Sequence, residues 1–302
     1  MKRILRWIAI VLGFLIVLLL VGWGVIYFRG QTMLNAKYQV PEDTVVIPTD
    51  VASIERGKHL AQAVSVCVDC HGEKLDGGVV IDDALIGYAA APNLTTGKGG
   101  SGNRLSDADM VRVLRYGVLA DGHSARIMPS GDYQWLSDED LGDIIAYVRS
   151  VPPVDKEWPD FKFGPLGRVL FGVGQLPIMI APTIDVDHDH PAKVAQSVSK
   201  EYGDYLSRIA GCTGCHNSSV SGGVIPGAPP DWPEAANLTP GGDIKNWNEA
   251  DFINTIRTGV NPTGKAINPT MPWPRYAQMS DEELKALWAH ISTVPTKGYA
   301  ER

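Results

Sequence analysis

The sequence predicts an all-α protein, one apolar helix followed by two copies of a small helical domain, on three observations. The opening stretch MKRILRWIAIVLGFLIVLLLVGWGVIYFRG holds no charge between Arg6 and Arg29, enough apolar chain to cross a ~30 Å hydrocarbon core as a helix. CVDCHGEKLDGG (Cys67 to Gly78) returns 145 positions later as CTGCHNSSVSGG (Cys212 to Gly223). Further matches follow in the same order: PNLTTG (92–97) with ANLTPG (236–241), RYGV (115–118) with RTGV (257–260), and MPSGDYQWLSDEDL (128–141) with MPWPRYAQMSDEEL (271–284). Around those matches, apolar residues recur at helical spacing between Ser starts and Gly stops. At 302 residues, 44% apolar and 20% charged, the chain has room for about two ordinary domains.

Residues 1–37 read as a membrane anchor. A cleaved signal peptide has an apolar stretch of about 7–15 residues and then a small-residue cleavage site; FRGQTMLNAKYQV offers no convincing site, so a single uncleaved span is expected. Lys2, Arg3 and Arg6 crowd the short N-terminal side, and Trp7, Trp23 and Tyr27 sit near the two ends. That distribution predicts an N-terminus in the cytoplasm and everything after about Arg29 outside it; the expected location is a bacterial cytoplasmic membrane, with the exported domains on its periplasmic side. The exported part holds 22 Lys/Arg against 34 Asp/Glu, a formal charge of −12. Such acidity disfavours nucleic acid and anionic lipid as partners and suits a basic docking face on another protein; solubility is the competing reason for it.

Residues 38–155 form the first copy. SIERGKHLAQAVSV leads into the motif, LSDADMVRVLRYG ends in Gly117, suited to a left-handed C-cap, and LSDEDLGDIIAYVRS starts on Ser137 with Asp140 placed to reach back. Leu141, Ile144, Ile145 and Val148 make one apolar face of that last helix. Residues 156–199 have no counterpart in the repeat and join the copies. Within them FGPLGRVLFGVGQLPIMIAP is apolar, but Arg168 and its Gly and Pro residues argue against a second crossing; it reads as interdomain packing, or as contact with the membrane surface or a partner subunit. The DVDHDHP run (185–191) reads as a solvated acidic loop more readily than as a metal site. Residues 200–302 form the second copy, with KEYGDYLSRIAG, WNEADFINTIRTG ending in Gly259, and MSDEELKALWAHIS opening on Ser280 with Glu283. Leu284, Leu287, Trp288 and Ile291 are its last core face, and His290, in the place of Tyr147, is a surface or core residue rather than a ligand. Stretches such as GGVIPGAPPDWPEA show no strand periodicity, an arrangement suited to a chain wrapped round a large group.

All four cysteines lie in the two motifs, so a site rather than a disulfide framework uses them. A structural zinc needs four ligands in a tetrahedron, and the two Cys pairs are much further apart than paired zinc knuckles. A redox dithiol belongs in a βαβ setting that this sequence does not suggest. Two thiols one helical turn apart with a histidine directly after them are the signature of covalently attached haem c, here present twice in register. A repeated Met-Pro lies 57 residues after His71 (Met128) and 55 after His216 (Met271). Methionines at equivalent loop positions are thioether candidates, and Met/His ligation favours electron transfer at raised potential. His123, in DGHSARIMPSG, is the rival near Met128. Arg115 and Arg257 are placed either to pair with haem propionates or simply to end their helices.

Together CxxCH, NLT, RxGV, MP and LSDEDLGDIIAYVRSVPP resemble class I cytochrome c domains, particularly those in the multihaem cytochrome c subunits of membrane-bound alcohol, aldehyde and gluconate dehydrogenases. The resemblance covers about residues 52–153 and 200–295. It implies two tandem all-α domains with two covalently bound haem c groups, one served by Cys67, Cys70, His71 and Met128, the other by Cys212, Cys215, His216 and Met271, with iron ligands His71, Met128, His216 and Met271. Those dehydrogenase subunits typically carry three haems, whereas two motifs stand here, and the anchor is N-terminal. The expected function is that of a membrane-anchored electron carrier without bond chemistry of its own. It would pass electrons one at a time between a periplasmic dehydrogenase or quinol-oxidising complex and a terminal oxidase or soluble cytochrome, as part of a respiratory chain. The alternative is a dihaem enzyme, a peroxidase or sulfur-compound oxidoreductase, with one reactive haem.

Overall fold

The computed structural model describes residues 2–229 and 231–301. Helix α1 (Lys2–Leu34) is the one helix among the described residues long and apolar enough to span a membrane. Copy 1 follows as α2 (Val51–His59), α3 (Cys67–His71), strands β1 (Gly78–Asp83) and β2 (Gly87–Ala91), α4 (Asp107–Tyr116), α5 (Ser130–Tyr133) and α6 (Asp138–Ser150). The connecting segment contributes β3 (Lys162–Phe163) and α7 (Pro165–Val173). Copy 2 repeats the helices as α8 (Lys200–Ile209), α9 (Cys212–His216), α10 (Glu249–Thr258), α11 (Trp273–Tyr276) and α12 (Asp281–Ile291).

The helix ends follow the expected chemistry with one exception. Gly117 and Gly259 close α4 and α10 in the left-handed region, at φ 64° and 69°. At α12 Ser280 and Glu283 form a reciprocal capping box. At α6 only half of it exists: Ser137 accepts from the Asp140 N–H, while the Asp140 carboxylate is taken by Arg56 and Tyr205. A side chain two stronger donors can reach does not turn back to its own backbone.

The first and last helices of each copy cross at a glycine. A methyl on Gly57 would lie 1.8 Å from the Asp143 carbonyl oxygen, and one on Gly203 would lie 1.9 Å from that of Ala286. Both are clashes with the backbone of the facing helix. Gly203→Ala is therefore expected to force α8 and α12 apart and to cost about 3 kcal/mol, the upper end for overpacking a core, read as a lower denaturation midpoint at unchanged slope. Gly57 stands ten positions before Cys67 and Gly203 nine before Cys212. The surplus residue of copy 1 is absorbed as a π turn, Leu60–Val64, closed by the Ser65 N–H on the Leu60 carbonyl at 2.7 Å.

The all-α expectation holds apart from a small antiparallel sheet in the order β1-β2-β3. Its strands are short, and most β1 side chains are exposed, so they leave no alternating pattern in the sequence. Copy 2 keeps the root of that hairpin as a single bridge between Gly223 and Ala235. One contiguous core runs through both copies, including Leu141, Ile144 and Ile145 of α6 and Leu284, Leu287 and Ile291 of α12; Val148 and Trp288 pack at its edge.

The end of α1 is clamped to α7. Gly172 approaches so closely that a methyl there would sit 2.5 Å from Ile26 Cγ2, and Phe171 lies against Gly30. The Arg168 guanidinium lies 4.6 Å from the Tyr27 ring and donates to Gln31 Oε1 at 2.9 Å. Beyond the helix, the Tyr38 N–H donates to the Gly122 carbonyl at 2.9 Å, so α1 enters copy 1 without a free linker.

Candidate functional site

Each Cys-x-x-Cys-His forms a single helical turn, α3 or α9, framed by left-handed residues. Val66 precedes α3 at φ 44° and Gly211 precedes α9 at φ 70°; Gly72 and Asn217 follow at φ 76° and 61°. The valine pays for a conformation that costs non-glycine residues of order 1–3 kcal/mol, so the surrounding packing holds the turn in place. Leu75 and Val220 repeat the left-handed conformation further on, and the two motifs therefore share one backbone path.

The histidines are held identically. His71 Nδ1 lies 3.0 Å from the Pro92 carbonyl and His216 Nδ1 lies 2.7 Å from that of Ala236. A carbonyl only accepts, so Nδ1 carries the proton and Nε2 keeps its lone pair for a metal. Burial pushes both imidazoles below their ordinary pKa, against the partial compensation of those carbonyls, which keeps them neutral. The NLT segments hold the accepting loop. Asn93 donates to Val154 O at 2.8 Å and receives the Thr95 N–H at 2.9 Å; Asn237 donates to Lys297 O at 3.0 Å and receives the Thr239 N–H at 2.9 Å.

In copy 2 a cavity is lined by Cys212, Cys215, His216 and Met271, with walls from Leu238, Phe252, Ile256, Leu284 and Leu287. In copy 1 Cys67 and Met128 pack against the same contiguous core. Burial pushes the Cys67 and Cys212 thiols up to about 12 and raises Cys70 and Cys215, unlike the depressed thiols of reactive dithiols. All four are free of disulfides, and among the described residues no cluster of three or more His, Cys, Asp or Glu is placed to hold a metal ion. Paired thiols a turn apart, an imidazole with a free Nε2, a thioether and apolar walls fit a covalently held porphyrin and do not fit zinc.

Tyr133 and Tyr276, at matched positions five residues after the methionines, were not singled out by the sequence. Each donates at 2.7 Å to the carbonyl just before its motif turn, Ser65 or Ala210, and so ties the methionine loop to the motif. The matched Tyr in MPxxxY was the available signal. His123 is engaged elsewhere: its Nδ1 lies 3.0 Å from Asp121 Oδ2. Arg115 and Arg257 end their helices and are occupied. Arg115 is fully buried between Asp43 and Asp138; Arg257 bonds Asp281 and the Met279 carbonyl at 2.6 Å each and also the Ala277 carbonyl. Asp138 and Asp281 are the first residues of α6 and α12, so these arginines lock matched helices together. His188 and His190 pack on Trp135 and Tyr116, at ring separations of 4.2 and 6.0 Å. His290 Nε2 lies 3.7 Å from Asp204, away from the cavity-lining set.

The copies meet through reciprocal contacts, as in a two-fold dimer. His59 of copy 1 bonds Glu283 of copy 2 at 2.8 Å, and Tyr205 of copy 2, in the place of His59, donates to Asp140 of copy 1 at 2.6 Å. Arg275 of copy 2 bonds Asp69 within α3 at 2.7 Å and Glu73 at 2.6 Å. Its counterpart Asp132 of copy 1 faces α9, where Gly214 replaces Asp69; a methyl there would lie 3.5 Å from the carboxylate. The pseudo-symmetry is thus broken in charge at both motif turns. Burial raises Asp132 from 3.8 to about 6. A carboxyl raised on folding costs stability as pH climbs from 3.8 through about 6. Asp132→Asn is expected to add on the order of 2–3 kcal/mol at pH 7 and nothing below pH 3.8, a gain visible in thermal melts at the two pH values.

Comparison with known proteins agrees with this geometry. The family model "Cytochrome C oxidase, cbb3-type, subunit III" matches residues 52–148, and "Cytochrome c" matches residues 201–295. The chain is 25% identical over 264 residues to a nicotinate dehydrogenase subunit of Pseudomonas putida, covering 80% of this chain and 21% of that protein. It is 35% identical over 95 residues to the gluconate 2-dehydrogenase cytochrome c subunit of Pantoea cypripedii, covering 30% of this chain and 22% of that one. These matches span only about a fifth of those relatives' length. A diheme cytochrome c-type protein of Cereibacter sphaeroides matches nearly end to end, 23% identical over 299 residues, 91% of this chain and 97% of that one. The chain is a c-type cytochrome, two cytochrome c domains in tandem with two covalently bound haem c groups.

Proposed function

We propose that the chain is a membrane-anchored dihaem electron carrier, in which Cys67, Cys70, His71 and Met128 hold one haem and Cys212, Cys215, His216 and Met271 the other. The observation that carries this reading is the convergence of Cys212, Cys215, His216 and Met271 on one apolar cavity, with a matching residue set in copy 1. Haem bound by these residues, with a histidine and a methionine as iron ligands, would supply one-electron exchange at raised potential. The residues of this chain do the rest. The carbonyls of Pro92 and Ala236 fix the imidazole tautomers, Tyr133 and Tyr276 fix the methionine loops, and the reciprocal interface keeps the two attachment turns in contact with the opposite copy.

The relatives named for nicotinate and gluconate dehydrogenases favour a periplasmic dehydrogenase as donor, with a quinol-oxidising complex as the other candidate. A terminal oxidase or soluble cytochrome is the acceptor. Tethering by α1 raises the carrier's effective concentration beside membrane-bound partners, and the Lys2, Arg3 and Arg6 cluster supports a periplasmic side for the haem domains. The test is export behind a cleavable signal that replaces residues 1–24, which leaves the α1 to α7 clamp in place. That variant is expected to keep both haems and to leave the membrane in high salt, while the full chain stays. Full chain that washes off in salt contradicts the anchor.

A further inference from the structure

The segment between the copies contains a helix with an apolar side that the described residues leave partly uncovered. Helix α7 buries Gly167, Phe171 and Gly172. Its other side carries Leu166, Val169, Leu170 and Val173, one stripe at helical spacing; Leu166 is 43% and Val173 39% exposed. Leu85, 56% exposed at the tip of the β1–β2 hairpin, extends this patch, because its carbonyl receives the N–H groups of Leu166 and Gly167 at 2.9 Å each.

The position of this patch relative to α1 identifies what covers it. The uncharged run from Trp7 to Phe28 is about 33 Å long at 1.5 Å per residue, close to the ~30 Å hydrocarbon thickness. Arg29 therefore marks the exit from the hydrocarbon. The α7 contacts fall on Ile26, Tyr27, Gly30 and Gln31, at that same level. An apolar stripe clamped rigidly at the exit depth of a spanning helix lies in the headgroup layer, where amphipathic helices bury their apolar faces about 5–10 Å deep. Arg29 lies beside the end of α7, since a methyl on Gly174 would be 3.8 Å from its Nη2; Lys162 is exposed on β3; the Arg168 guanidinium packs over Tyr27. Asp82 and Asp83 on β1 and Asp160 just before β3 are exposed as well, and Asp83 accepts from the Leu85 and Ile86 N–H groups at 2.8 Å.

We propose that the outer face of α7, with Leu85, rests on the lipid surface of the membrane that α1 crosses, making copy 1 the membrane-proximal haem domain and fixing its orientation. This rests on the anchoring role proposed for α1.

The test uses purified full chain in phosphatidylcholine and phosphatidylglycerol vesicles that contain a phospholipid with a photoreactive diazirine near its headgroup. Adducts are mapped on the peptides by mass spectrometry after irradiation. Adducts are expected on α1, and also on residues 166–173 and Leu85 several-fold above those on α12. Leu166→Asp with Val173→Asp is expected to bring the α7 adducts down to the α12 level, with α1 adducts and the visible spectrum unchanged. The wild-type map decides by itself if that variant misfolds. Adducts confined to α1 overturn the lipid contact while leaving the anchor standing, and assign the face to a protein partner. Absence of adducts on α1 overturns the anchor and this proposal with it.

Discussion

Met271→Ala is expected to lower the potential of one haem on the order of 100 mV or more, within the roughly 0.8 V span over which axial ligands tune haem iron, and to open that iron to carbon monoxide. Met271 lines the cavity with His216 and both cysteines, and no histidine lies between His216 and Met271 to replace it. The other haem should be unmoved in a redox titration. Met128→Ala is expected to act likewise on copy 1. His123 is the nearby substitute there, but Asp121 and the Lys37 bridge hold it at the surface, so a bis-histidine site requires that loop to rearrange. Met271→Ala with two unchanged potentials removes the methionine from the ligand set.

Cys212→Ala combined with Cys215→Ala is expected to leave one haem per chain instead of two after acid extraction of the denatured protein. The two thiols lie on one turn of α9, and neither is tied up in a disulfide. The loss should reach copy 1 only through stability. Leu284 and Leu287 line the cavity of copy 2 and also belong to the core that runs on into copy 1. An emptied cavity removes packing from that shared core, so a lower melting temperature should accompany an unaltered spectrum of the remaining haem.

Much of this was legible because each copy reads the other. The attachment turns, the Ser and Gly helix ends and the methionine loops recur at matched places, and a feature found twice in register carries a physical requirement rather than chance. What the sequence hid was arrangement. A repeat shows that His59 and Tyr205 are equivalent, but not that each reaches the carboxylate of the other copy's last helix. Arg115 and Arg257 looked available for haem propionates because their acceptors, Asp138 and Asp281, lie more than twenty residues away and meet them only through the fold. The β1–β2 hairpin escaped notice since exposed short strands need no alternation. Helix α7 was readable as an apolar segment, yet only its clamp on Ile26 and Gly30 shows which end of α1 it lies beside.

A pure electron carrier of the kind proposed needs both irons held between a histidine and a methionine, with no site left open for a substrate. The optical spectrum of the oxidised full chain tests that requirement most directly. Two low-spin haems with a thioether-to-iron band near the red edge, unaltered by peroxide or sulfite, are expected. A high-spin component equal to one of the two haems, shifted by either reagent, would contradict the carrier role and make the protein a dihaem enzyme.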